Sequence, residues 1–125
     1  MNKERILALA DLIEAQPHTG LNEKTGFNMG EYRHECGTPA CIAGWAAAAS
    51  VGDTTGTIKL EMYADIQAQQ FLDLDGDQAS ALFQPPCEDE DEWDEITPDH
   101  AAFTLRHLVK TGKVDWSAFE DRADA

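Results

Sequence analysis

The sequence predicts an all-α fold, a compact single-domain bundle of about five helices around a central apolar helix at 39–51, on three observations. Apolar residues recur at helical spacing toward both ends of the chain, at Ile6, Leu9, Ala10 and Ile13 and again at Ala101, Ala102, Leu105, Leu108 and Val109. Residues 36–52 carry no charge at all, and the run ACIAGWAAAASV within them reads as a helix buried on every side. No stretch alternates apolar and polar residues over a useful length, so strands are not expected.

The first helix covers 3–16, its stripe facing inward and Glu4, Asp11 and Ala15 facing out, and Pro17 stops it. Residues 18–36 form a long connection rich in Gly, Asn and Thr. A loop beyond about 12–15 residues needs pinning, and Phe27, Met29 and Tyr32 are the expected anchors. Thr38 and Pro39 read as N-cap and first residue of the apolar helix, and Gly52 ends it. Gly44 and the alanines at 46–49 add so little bulk that neighbouring helices can come close around Trp45.

After a turn at 53–59, a third helix at 60–72 places Leu60, Tyr63, Ala64, Ala68 and Phe71 on one face. Gly76 breaks it, Asp77 caps a short fourth helix over 78–83, and Pro85-Pro86 closes that one. An acidic loop at 85–96 follows. The last long helix opens at Thr97-Pro98-Asp99, where a cap, a first-position proline and a first-turn acid coincide, and ends at Gly112. Val114, Trp116 and Phe119 fold back as a terminal latch. All 125 residues make one helical domain.

Charge narrows the function. Twenty-four Asp and Glu against nine Lys and Arg give −15, with a pI near 4.3. A field of that sign repels nucleic acid and anionic membrane, so direct binding to either is not expected. The longest apolar run, 40–49, has ten residues, short of the roughly 18 that a membrane span takes. Acids are scattered through the apolar start of the chain and no small-residue cleavage site follows, so it is not a signal peptide. Three cysteines, easily kept reduced, complete the picture of a cytoplasmic protein.

The acids are also polarised. From Glu61 to Asp99 there are thirteen of them and no Lys or Arg, whereas the rest of the chain has eleven acids and nine bases. Seven of the eight residues at 88–95 are acidic, Trp93 being the exception. A charge run is usually a solvated face, and adaptation to high salt spreads its acids more evenly. An acidic face holding an aromatic can instead mimic a nucleic-acid backbone toward a basic protein groove.

Other chemistry is weaker. His34, Cys36, Cys41 and Cys87 are four soft ligands of the kind zinc takes, and Cys36 near a helix N-terminus is placed for thiolate character. Yet Cys41 falls inside the buried helix, where a cysteine serves as a small core residue. No orienting acid or oxyanion donor can be named for a nucleophile. A Cys36–Cys41 disulfide needs an oxidising compartment that nothing else indicates. Asp73-x-Asp75-Gly-Asp77 opens like a calcium loop, but positions six and twelve are Gln78 and Gln84. His100, Phe103 and His107 share the face opposite the last helix's buried stripe and read as packing under the acidic loop through Trp93. Histidines seven apart do not form the i, i+4 metal pair.

Phe27-Asn28-Met29, the segment CGTPACIAGW at 36–45, residues 78–83, Ile96-Thr97-Pro98 and Val114-Asp115-Trp116 together resemble a group of small, largely uncharacterised proteins of bacteria and their phages. The Cys-Gly-Thr-x-x-Cys-Ile-Ala-Gly segment is the specific part. The resemblance implies an architecture and a mobile-element setting, and no activity at these positions. The run at 88–95 is more acidic than that group's pattern.

The expected function is therefore a non-enzymatic acidic binding protein without a cofactor. Glu88, Asp89, Glu90, Asp91, Glu92, Trp93, Asp94 and Glu95 form its expected contact surface, and a basic protein surface is its expected partner. The setting implied by the resemblance points to a phage or mobile-element inhibitor of host defence, anti-CRISPR-like or a nucleic-acid mimic. The alternative is a metal- or thiol-dependent protein using His34, Cys36, Cys41 and Cys87.

Overall fold

Asn2 lies in extended backbone, and its side-chain oxygen accepts the Arg5 N–H at 3.1 Å, capping α1 (Lys3–Glu14). Ile6, Leu9, Ala10 and Ile13 are buried along one side of α1, as their spacing predicts. The structure is a computed structural model that describes residues 1–18, 26–27, 41–52, 64–83 and 96–121. Within the long connection after α1, the Phe27 N–H donates to the Pro17 carbonyl at 2.8 Å and the Phe27 side chain is fully buried. Phe27 is thus an anchor, while Met29 and Tyr32 lie outside the described residues.

α2 (Ile42–Ser50) is buried at every residue from Ile42 to Ala48. It starts later than the Thr38-Pro39 signal predicts. Cys41, extended at φ −90° and ψ −177°, is the N-cap, and it makes no side-chain capping bond. Thr38 and Pro39 lie outside the described residues. An apolar helix without a water-facing side has no polar–apolar boundary to mark its first turn. Trp45 is fully buried, and its indole N–H donates to the Gly26 carbonyl at 3.2 Å, tying α2 to the Phe27 anchor. Gly52 follows at φ 84°, the left-handed conformation that glycine adopts at a helix end without steric cost.

α3 (Ala64–Leu72) departs from the expected face. Leu72 and Ala68 are buried, whereas Phe71 is half-buried and carries the Arg5 guanidinium 4.5 Å above its ring. Leu60 and Tyr63 lie outside the described residues. Nor does Gly76 end this helix. Asp73 takes the left-handed position at φ 56°, its N–H donating to the Gln70 carbonyl at 3.2 Å while the Leu74 N–H donates to the Gln69 carbonyl at 3.1 Å. That crossed pair is a Schellman motif, with buried Leu74 as its apolar closure. Aspartate is one of the few non-glycine residues that visit this conformation.

Gly76 instead begins α4 (Gly76–Phe83). Its cap is Asp75 and not Asp77. Asp75 Oδ1 accepts the Gln78 N–H at 2.7 Å, and Gln78 Oε1 accepts the Asp75 N–H at 3.2 Å. This reciprocal pair is a capping box, spelled by Asp75-x-x-Gln78. α5 (Pro98–Thr111) has its predicted ends. Thr97 Oγ1 accepts the His100 N–H at 3.1 Å, Pro98 fills the first position, and Gly112 closes the helix at φ 79°. α6 (Ala118–Asp121) is a short turn of helix.

The closest pairings are α1 along α5 and α2 along α3, with lighter contacts joining α2 to α1 and α4. Their buried side chains form a shared core that includes Ile6, Ile42, Trp45, Leu72, Leu82 and Leu105. At the water-facing edge of the first pair, Arg106 reaches Asp11 at 2.8 Å and Glu14 at 2.6 Å. No strand occurs among the described residues; His18 and Phe27 form an isolated parallel bridge. No helix among them is long and apolar enough to cross a membrane.

Candidate functional site

The eight residues expected to meet a partner, Glu88 to Glu95 with Trp93, lie outside the described residues. Their flanks do not. The described residues that flank it are Phe83, half-buried at the end of α4, and Ile96, which is 6% exposed. Both are therefore seated on the core.

Four acids of the polarised stretch have local reasons to be there. Asp75 caps α4, Asp77 and Asp99 occupy the first turns of α4 and α5, and Asp73 takes the left-handed position after α3. Carboxylates at helix N-termini oppose the positive end of the helix dipole. Asp75, Asp77 and Asp99 are thereby explained by helix starts, and Asp73 by its backbone position and its pairing with the Met1 ammonium. Of the other nine acids, seven lie at 88–95, in eight consecutive positions outside the described residues.

The calcium-loop reading of residues 73–77 gives way to the same geometry. Asp75 begins α4 and its carboxylate caps that helix, whereas Asp73 follows α3 and its carboxylate accepts from the Met1 ammonium at 3.1 Å. Of the candidate soft ligands, Cys41 alone is described; it is 4% exposed, at the start of α2. His34, Cys36 and Cys87 lie outside the described residues. Among the described residues no group of three or more His, Cys, Asp and Glu side chains is placed to hold a metal ion.

His100, Phe103 and His107 do share a face of α5, and the described rings that meet them come from the chain's terminal latch. His100 stacks on Phe119 with centroids 4.5 Å apart and meets Trp116 edge-on at 5.3 Å. Phe103 meets Phe119 edge-on at 5.7 Å and stacks with His107 at 6.2 Å. Trp93, the partner expected for this face, lies outside the described residues. The latch itself is as predicted: Trp116 is 8% exposed, and its indole N–H donates to the Ala81 carbonyl at 2.9 Å. Asp115 shapes the approach to it, accepting the Ser117 hydroxyl at 2.6 Å and the Ser117 N–H at 3.0 Å. Those bonds, the hydroxyl's foremost, hold the Asp115 carboxyl below its ordinary value.

Three hydrogen bonds carry no sequence signal of their own. Arg5 Nη1 donates to the Phe71 carbonyl at 2.9 Å and the Asn2 N–H donates to the Leu72 carbonyl at 2.9 Å, so the start of α1 satisfies the end of α3. Thr104, fully buried in α5, returns its hydroxyl proton to the His100 carbonyl at 3.0 Å. Comparison with protein families, with curated proteins and with solved structures found no match to this chain.

Proposed function

We propose that this is a non-enzymatic acidic binding protein that engages a basic protein surface through residues 88–95. One observation carries the reading: seven acids and one tryptophan in eight consecutive positions, within a stretch of thirteen acids that has no Lys or Arg. The described acids at 73, 75, 77 and 99 have local roles in the fold, which leaves the reading resting on the composition of 88–95. Its target class is a protein groove that ordinarily holds nucleic acid, the kind found on the enzymes of host defence. An inhibitor of this type occupies the groove by presenting carboxylates where phosphates would lie. It needs neither a metal nor a reactive thiol.

The test starts from a partner captured from the native host and identified by mass spectrometry. Changing Glu88, Glu90 and Glu92 to Gln and Asp89 and Asp91 to Asn should abolish capture while leaving thermal unfolding in place. For the unaltered protein, association should slow steeply with salt, because the Debye length falls from about 10 Å at 0.1 M to about 3 Å at 1 M. Trp93→Ala should weaken binding by more than about 2 kcal/mol, as the loss of a buried aromatic anchor does. Binding that survives both the neutral segment and Trp93→Ala reduces this face to solvation.

A further inference from the structure

Trp116 touches both helix ends between which the acidic segment runs. Its indole N–H donates to the Ala81 carbonyl at 2.9 Å, in the last turn of α4. Its own carbonyl accepts from His100 Nε2 at 2.8 Å, in the first turn of α5. The last carbonyls of a helix have no donor within it, so the Ala81 oxygen needs one from outside. The second bond requires the His100 proton on Nε2. Ring contacts press the strap down at the same place, His100 stacking on Phe119 and meeting the Trp116 edge. Behind Trp116, Gln78 Nε2 reaches the Gly112 carbonyl at 3.4 Å, a second fastening of the strap to α4.

We infer that Trp116 is a clasp: it couples the C-terminal end of α4 to the N-terminal end of α5, and release of the strap at 112–119 loosens both ends together. Two separate stabilising contacts would not do this. In that case each bond would steady its own helix turn, and cutting one would leave the other end unchanged. On the acidic-surface reading, the clasp fixes the separation between Phe83 and Ile96, which flank the acidic segment. The clasp itself is tested without any partner, so failure of that reading leaves its result untouched.

The experiment is amide hydrogen exchange on the full chain, comparing wild type with Trp116→Phe and His100→Phe. Trp116→Phe keeps a ring in the buried site but offers no N–H to Ala81. His100→Phe keeps a ring against Phe119 but offers no donor to the Trp116 carbonyl. Each variant should speed exchange at least about threefold at both helix ends, the amides of 81–83 and of 100–102, beyond any change at residues 9–13 of α1. Faster exchange confined to the end that lost its bond overturns the clasp. So does a uniform increase that includes α1, or no increase at all. If Trp116→Phe does not fold, His100→Phe decides alone, since it spares the indole bond and must still loosen α4.

Discussion

The two main helix pairs are held together by different means. α1 and α5 each present one apolar stripe to the core and a polar face to water, and Arg106 ties them at the rim through Asp11 and Glu14. α2 has no water-facing side between Ile42 and Ala48; its bulk is Ile42 and Trp45 set among alanines. Its polar link to α3 comes at its last residue, where Gln67 Nε2 donates to Ser50 Oγ at 2.7 Å. A pair with a water-facing edge writes a 3.6-residue period into its sequence. A helix enclosed on all sides writes only composition, and its tightness rests on small residues fitting around one large one.

The strongest way to break that contrast is Trp45→Ala. Trp45 is fully buried and hydrogen-bonded to the Gly26 carbonyl. It is the largest of the fully buried side chains among the described residues, so its removal opens a large hole. The expected loss is about 3–5 kcal/mol of unfolding free energy, read from urea denaturation. Little loss would mean that the alanine-rich surroundings collapse into the space and that α2 is not tightly packed.

The same contrast explains what could be read from the sequence. Ile6, Leu9, Ala10 and Ile13 were legible because water on the far side of α1 forces the period. Thr97, Pro98 and Gly112 were legible because each has a single physical use at a helix end. The start of α2 at Cys41 was not, since this N-cap residue makes no side-chain capping bond. Phe71 and Leu72 are adjacent and both apolar, and the guanidinium that covers the less buried Phe71 belongs to Arg5, 66 residues away. Trp116 could be placed in a latch by its spacing from Gly112, but its bonds to Ala81 and His100 are tertiary facts. Of the candidate site, composition alone was legible, because charge shows in a sequence whether or not it has a structural reason.

A smaller effect sharpens the contrast at α4, where two nearby acids have unequal roles. Asp75 accepts the Gln78 N–H and belongs to a capping box, whereas Asp77 only lies in the first turn. Asp75→Ala should cost about 1 kcal/mol, within the range of about 0.5–2 for a lost cap. Asp77→Ala should cost less, the loss of a dipole contact of about 0.3–1 kcal/mol. Thermal unfolding of the two variants side by side gives the order. The reverse order would return the cap to Asp77.

The smallest effect belongs to the rim of the α1–α5 pair, and pH reads it. The Arg106 hydrogen bond, with the charge of its guanidinium, holds the Glu14 carboxyl below its ordinary value of 4.5. A carboxyl whose pKa is lowered by folding contributes stability above its unfolded pKa and loses it as pH falls through the folded one. Glu14→Gln should therefore melt slightly below wild type at neutral pH. The gap should close as pH drops below about 4.5, and added salt should narrow it at any pH above that. Asp11 still meets Arg106 in the variant, and exposed ion pairs are weak, so the gap is the least of the three. Melting curves of both proteins from neutral pH into the acid range check the sign; a gap that persists at low pH would assign the effect to packing. The deficit of Trp45→Ala should stay flat over the same range, because α2 has no titratable side chain between Ile42 and Ser50.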